Sequence, residues 1–251
     1  PHHFSRFSSS YRIIHDETPE EYHSLVIPFL GQRPKDLAWV DNILLGKAET
    51  DRIIFSDQDP NIGFTLVLDF RWDGRFLQSM HILGLVPHPG LTCLRDLRSE
   101  HIPLLKRMLC EGRSRIIDHY AKVRPVMEQE SVNDEASPKP AVPPNQGLSR
   151  TGESALKENQ ILAYFHYPPT FYRLHVHYAH VDAACEHGTR VGRAHLLYDV
   201  IQNLELDGDY YAKRIIPVYL QTDGDMLKAL QNGSSHSEHI VPSTEVTDQT
   251  K

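Results

Sequence analysis

The sequence predicts an α+β fold: an antiparallel sheet with two main helices against it. Short runs rich in β-branched and aromatic residues, bounded by turn residues, mark strands that follow one another closely enough to pair as neighbours. Longer stretches repeat apolar residues every three or four positions, the period of an amphipathic helix. No repeat at a solenoid period interrupts this pattern, so one main α+β unit is expected.

Residues 1–10 are polar and serine-rich, the composition of a mobile end. Tyr11-Arg12-Ile13-Ile14 reads as a short strand, after which Thr18 is placed to cap a helix with Pro19 at its first position. Over residues 34–49, Leu37, Val40, Ile43, Leu44 and Lys47 recur at helical spacing with Asp36 near the start, predicting an amphipathic helix. Residues 52–55, a turn-rich loop at 57–63 and residues 64–69 predict strand, loop and strand. A third strand is expected at 80–86, entered after Asp73-Gly74 and left at Pro87-His88-Pro89-Gly90.

The clearest helix opens at Ser99, with Ile102, Leu105, Leu109, Gly112, Ile116 and Tyr120 along one face. Pro103 is tolerated in its first turn, and Arg124-Pro125 is expected to end it. From Val126 to about Glu158 the composition shifts to Glu, Ser, Asn, Pro and Lys, which predicts a disordered insertion at 126–158. Order resumes with strands at 161–166 and 172–178, then a helix over 193–204. A strand at 215–220 is expected to be bent or at an edge, because Pro217 cannot donate to a ladder. A short helix at 226–230 and a polar, unstructured tail from Asn232 complete the chain.

The totals limit the function classes. The 251 residues include 33 acidic and 26 basic ones, a net charge of −7, which argues against a surface built to hold long nucleic acid through many phosphates. The apolar runs are far shorter than a membrane span, so a soluble protein with no membrane partner is expected. Cys93, Cys110 and Cys185 form no Cys-x-x-Cys pair or even-numbered framework, which predicts free thiols, an intracellular setting and no structural zinc. The chain begins at Pro1 without an initiator methionine, from which a fragment or a processed chain is expected.

The chemistry concentrates at residues 163–180, which include Tyr164-Phe165-His166-Tyr167-Pro168-Pro169-Thr170-Phe171-Tyr172-Arg173-Leu174-His175-Val176-His177-Tyr178. On a strand, Arg173, His175 and His177 share one face and Leu174, Val176 and Tyr178 the other. Two histidines so spaced admit three explanations. They can be structural, they can share a metal ion, or one imidazole can attack phosphorus while its neighbours hold the phosphate oxygens. Arg173 favours the third, because a guanidinium repels a divalent cation but grips a phosphate.

Leu174-His175-Val176-His177-Tyr178 resembles the histidine-triad (HIT) signature, and its surroundings are similar to the scavenger mRNA decapping enzyme family of that superfamily. The likeness extends through Trp39-Val40-Asp41-Asn42-Ile43-Leu44 with Lys47-Ala48-Glu49, Asp51-Arg52-Ile53-Ile54-Phe55, Leu97-Arg98-Ser99-Glu100-His101-Ile102-Pro103-Leu104-Leu105 and Gly192-Arg193-Ala194-His195-Leu196-Leu197. It covers roughly residues 11 to 230 apart from the insertion. It implies a HIT-like fold and a metal-independent, cofactor-free pyrophosphatase that cleaves the triphosphate bridge of residual 7-methylguanosine caps after RNA decay. By the resemblance, His175 is the nucleophile of a nucleotidyl-histidine intermediate and His177 supports it. The products would be 7-methylguanosine monophosphate and a nucleoside diphosphate or diphosphate-ended fragment. His166, Thr170, Arg173 and Arg193 would contact phosphates.

The N7-methylated base is a cation, so its pocket should offer aromatic faces and a carboxylate. Trp39, Glu49, Asp69, Phe70 and Arg71 are the residues the resemblance places there; the alternative is that Trp39 anchors its helix in the core and Glu49 is a solvated last-turn residue. Relatives commonly carry histidine where Arg173 stands and tyrosine where Phe171 stands. They also have a separate N-terminal domain, exchanged between the protomers of a homodimer, which closes over the site.

The resemblance therefore implies a remnant of that domain at 1–35, a hinge helix and cap-binding segment at 36–50, a catalytic domain at 51–231 and a tail at 232–251. It implies a homodimer acting on small or short capped substrates in the cytoplasm, with the nucleus a second location. Two other readings stand beside this one: a non-catalytic cap-binding or regulatory paralogue, and a hydrolase of other dinucleoside polyphosphates.

Overall fold

The computed structural model describes residues 11–32, 37–70, 72, 77–133, 155–183, 189 and 191–237, with the backbone alone described over 123–133 and 232–237. The strands are β1 (Arg12–Glu17), β2 (Ile53–Ser56), β3 (Thr65–Leu68), β4 (His81–Leu85), β5 (Ile161–His166), β6 (His175–His180), β7 (Ala194–Leu196) and β8 (Ile216–Gln221). The helices are α1 (Pro19–Glu21), α2 (Ile27–Gln32), α3 (Ala38–Leu44), α4 (Ile102–Asn133), α5 (Leu197–Leu206), α6 (Tyr210–Lys213) and α7 (Asp225–Ser237). The chain divides into two compact units, residues 1–35 with 213–251, and residues 36–212.

The larger unit holds a six-stranded sheet in the order β2-β3-β4-β6-β5-β7, each neighbouring pair antiparallel. This is the expected α+β arrangement, an antiparallel sheet with helices against it. The two sheet faces are covered differently. On one, Leu66, Ile82, Val176 and Tyr178 are buried, and the Tyr178 hydroxyl donates to the Met108 carbonyl of α4 at 2.7 Å. Gly112 of α4 makes room for that ring, since a Cβ added there would lie 3.0 Å from Tyr178 Cζ. Leu104, Leu105, Met108 and Ile116 supply the buried stripe of α4, and α5 packs against α4 and β5. On the other face α3 seats Val40, Ile43 and Leu44 against Val67, Leu83 and Leu85.

Helix α3 is shorter than its apolar spacing suggests. It ends at Leu44 because Gly46 turns left-handed (φ 64°) and its N–H reaches back to the Ile43 carbonyl at 2.9 Å, a glycine stop. Glu49, expected inside this helix, is instead left-handed at φ 50°. Helix α4 behaves in the opposite way, running to Asn133 past the expected stop at Pro125. A proline removes one helical hydrogen bond and tends to kink a helix, and neither need end one already anchored by four buried side chains. Of the expected insertion, residues 134–154 lie outside the described ones.

Two further boundaries move. Residues 194–196, expected to open a helix, pair with β5 as a short edge strand, and α5 begins at Leu197. Three residues are too few for periodicity to separate strand from helix. Strand β6 starts at His175 rather than at 172, because the Arg173 carbonyl accepts from the His175 ring.

The smaller unit pairs β1 with β8, from Arg12 opposite Gln221 to Glu17 opposite Ile216. The expected edge strand with Pro217 thus belongs to a two-stranded ribbon, where Pro217 stands opposite Asp16. Thr18 caps α1 as expected: its hydroxyl accepts from Glu21 N–H while the Glu21 carboxylate accepts from Thr18 N–H. A π-helical turn over Tyr22–Val26 follows, with Tyr22 and Val26 buried. The compact units put residues 36–50 with the larger unit and residues from 213 with the N-terminal segment. The pairing of β1 with β8 joins segments about 200 residues apart, which local patterns do not register. Among the described residues no helix is long and apolar enough to cross a membrane.

Candidate active site

Strand register gathers the histidines on the face that α3 partly covers. His175 pairs with Leu85 and His177 with Leu83 on one side, and His177 with Tyr164 on the other. Because a strand alternates, the residues two along, His81 on β4 and His166 on β5, point to the same face. The Asp69 N–H donates to the His81 carbonyl at 3.0 Å, so Asp69 continues the β3 register opposite His81. One sheet face therefore carries leucines under α3 and, beside them, four imidazoles and a carboxylate.

His175 is 3% exposed. Its Nδ1 lies 2.7 Å from the Arg173 carbonyl, which only accepts, so Nδ1 carries the proton. The neutral ring then keeps its lone pair on Nε2, which makes no hydrogen bond to a described residue. Burial pushes the His175 pKa down to about 4; the carbonyl contact opposes that fall and the nearby His81 adds to it. At neutral pH this is an uncharged, pre-oriented nitrogen base. Phe171 stacks on it, with centroids 4.0 Å apart and planes 9° apart.

His177 sits amid rings. Its Nδ1 is 3.0 Å from His81 Nε2, the His166 centroid lies at 4.2 Å, and Tyr164 is nearly parallel at 5.3 Å. His81 Nδ1 in turn lies 3.3 Å from Asp69 Oδ2, a buried carboxylate. Among the described residues no group of three or more His, Cys, Asp or Glu is arranged to hold a metal ion.

The remaining expected residues are placed unevenly. Trp39 is 42% exposed, so Val40, Ile43 and Leu44, not the indole, anchor α3. The Trp39 ring meets Phe171 edge-on at 4.9 Å, giving an aromatic series from Trp39 through Phe171 to His175. Phe70 is 75% exposed, next to buried Asp69, and Arg71 lies outside the described residues. Glu49 pairs with Arg52 at 3.1 Å. Thr170 is exposed, and the Arg193 carbonyl accepts from Tyr167 N–H at 2.9 Å, which holds that segment beside the end of β5.

Arg173 departs most from its expected role. It lies in the bend before β6, is largely buried, and its Nη2 donates to Asp41 Oδ1 of α3 at 2.8 Å. At least one of its donors is thus spent on α3 rather than facing a phosphate. The sequence pattern alone does not single out His81. Its signal was available: it opens the alternation His81, Leu83, Leu85, so it shares the face of two buried leucines.

The fold and this face define an antiparallel α+β protein with a buried, neutral histidine on its central strand. A family model described as "Scavenger mRNA decapping enzyme C-term binding" matches residues 38–133 and 145–191. The chain belongs to that family. It is 34% identical over 215 residues to the m7GpppX diphosphatase of Rattus norvegicus, covering 86% of this chain and 54% of that protein. The Homo sapiens protein of the same name is 33% identical, with 86% and 53% covered. The Schizosaccharomyces pombe one is 32% identical over 208 residues, with 82% and 57% covered. The chain thus spans about half the length of these curated relatives. A solved structure, Hnt3 in complex with DNA and guanosine, aligns with a TM-score of 0.32 at 16% identity, over 78% of this chain and 94% of that one; the fold assignment rests on the strand register instead.

Proposed function

We propose that this chain carries the catalytic region of a scavenger decapping pyrophosphatase. The substrate is a 7-methylguanosine cap dinucleotide or a short capped oligonucleotide. The observation that carries this reading is the His175 ring, whose proton is committed to a main-chain carbonyl and whose Nε2 lone pair is left for attack. Membership of the family and the names of its relatives support the substrate class.

His175 Nε2 attacks the phosphorus attached to the methylguanosine. A P–N bond forms, the P–O bond to the nucleoside diphosphate breaks, and the electron pair leaves on that oxygen. The charge that develops on the ring is met by the Arg173 carbonyl at Nδ1–H. Water then attacks the same phosphorus, the P–N bond breaks, and 7-methylguanosine monophosphate departs. His166, Thr170 and Arg193 are assigned to the phosphates; Trp39, Glu49, Asp69, Phe70 and Arg71 are assigned to the base. Asp69 and the half-exposed Trp39 have the burial and exposure those roles need. The reaction needs no metal in this scheme, and the working form is a homodimer.

The test is incubation with methylated cap dinucleotide in excess chelator, with products separated by chromatography. Release of 7-methylguanosine monophosphate by the wild type and its loss in His175→Asn are expected. Turnover that survives the substitution would remove His175 as nucleophile. Tight binding of methylated guanosine without turnover would select the non-catalytic reading, and turnover without preference for the methylated base would select the dinucleoside polyphosphate hydrolase.

A further inference from the structure

The reactive histidine has a defined support, but His177, two residues on, has a different one. Its Nδ1 meets another imidazole, His81 Nε2, at 3.0 Å, and the far nitrogen of His81 meets the buried Asp69 carboxylate at 3.3 Å. A carboxylate can only accept, and its proximity favours the proton of His81 on Nδ1. A nitrogen pair at 3.0 Å needs one proton between its members, and two arrangements satisfy it.

With no extra proton, His81 Nε2 accepts from His177 Nδ1–H, and His177 Nε2 is a base. With one extra proton, the two rings share a positive charge held against Asp69, and His177 Nε2–H is a donor. Neither state requires a ring to move. Among the described residues, the rings of Tyr164 and His166 of β5 and of His175 on its own strand also lie against the His177 ring.

We propose that His81 is a positioning residue which, braced by Asp69, holds a shared proton on His177 so that His177 donates in one half of the reaction and accepts in the other. Its role in turnover rests on the decapping reading above; the proton sharing in the free protein does not. In the first half, the His177 Nε2 proton passes to the departing diphosphate oxygen as the P–O bond breaks. The proton in the N–H–N bridge then settles on His177 Nδ1, and His81 becomes neutral. In the second half, His177 Nε2 takes a proton from the attacking water as the P–N bond breaks, which restores the charged pair. The proton count closes over one turnover.

A second consequence concerns recognition. Asp69 has one oxygen on His81, and under the decapping reading its carboxylate also serves the base edge. Binding of the base at that carboxylate would then bear on the charge held by His81 and His177. Methylated and unmethylated cap dinucleotides should therefore differ in kcat as well as in KM.

The experiment uses the whole chain labelled with 15N at histidine. Long-range proton–nitrogen spectra of the free protein report the protonation of each His177 nitrogen. In His81→Phe the ring volume is kept and both nitrogens are lost, so the His177 nitrogens should shift to those of an isolated imidazole. Asp69→Asn gives the same readout should His81→Phe fail to fold, and should also move the His177 resonances. With cap dinucleotide, His81→Phe should lower kcat about 10- to 100-fold, the low range for a general acid–base contribution, with KM within about twofold. Unchanged His177 nitrogen shifts in a folded variant would overturn the proposal, whatever the activity. If those shifts move as expected but the wild type does not turn over the dinucleotide, the decapping reading fails and the proton sharing stands.

Discussion

His175 should make this protein lose stability in mild acid in a way that one substitution removes. Burial holds the folded-state pKa at about 4 against an ordinary value of 6.5. The unfolded chain therefore binds a proton that the native state refuses between those two values. The sign follows from linkage: the contribution is complete above the unfolded pKa and is lost as pH falls through 6.5 toward 4. At about 1.4 kcal/mol per unit, the shift corresponds to about 3 kcal/mol in total. About 2 kcal/mol of that is lost between pH 7 and about pH 5, since the unfolded ring is then almost fully protonated and the folded one is not.

The assay is urea unfolding of wild type and His175→Asn at pH 7 and pH 5, compared as a double difference so that every other titrating group cancels. The wild type should lose about 2 kcal/mol more than the variant over that interval. Equal losses in the two proteins would show that His175 is solvated or already charged at neutral pH. The neutral-nucleophile argument would then fail with it.

Three further outcomes are expected. Phe171→Ala removes the ring stacked on His175 and touched by Trp39; it should cost about 2 kcal/mol in chemical denaturation and raise the His175 pKa toward 6.5 in a histidine titration by NMR. A double-mutant cycle on Arg173→Ala and Asp41→Ala should give a coupling of about 1 kcal/mol, because Asp41 is half exposed and solvent weakens the pair. Gly112→Ala places a Cβ against the Tyr178 ring and should lower stability by about 1–3 kcal/mol in thermal melts, while Gly31→Ala, with open space around it, should not.

Much of the fold was legible because its signals are local. The capped turn at Thr18 and the strand-loop-strand at 52–69 are read within about twenty residues, and each lies close to where its pattern places it, whereas the buried stripe of α4 keeps Leu105, Gly112 and Ile116 but adds Leu104 and Met108 in place of Ile102 and Leu109. What was not legible depends on pairing across the chain. His81 acquires meaning only when β4 lies beside β6, which brings together side chains 96 residues apart. The place of Arg173 beside His175 predicts a phosphate ligand. Its partner Asp41 stands 132 residues earlier, and no spacing rule connects them. The end of α3 was missed for the opposite reason: the apolar period ran on through Lys47, and a single glycine backbone overrode it.

The bond that sets the proton on His175 comes from the main chain of residue 173, not from its side chain. Every amino acid presents that same carbonyl, so no substitution at 173 can delete the contact while the bend persists. Residue 173 is therefore released from guarding the tautomer of its neighbour. Its side chain is left to answer a separate demand, here met by clasping Asp41 on α3. That separation gives a physical reason why an arginine can stand beside the reactive histidine, and it shifts attention from the identity of residue 173 to the shape of the chain that carries it.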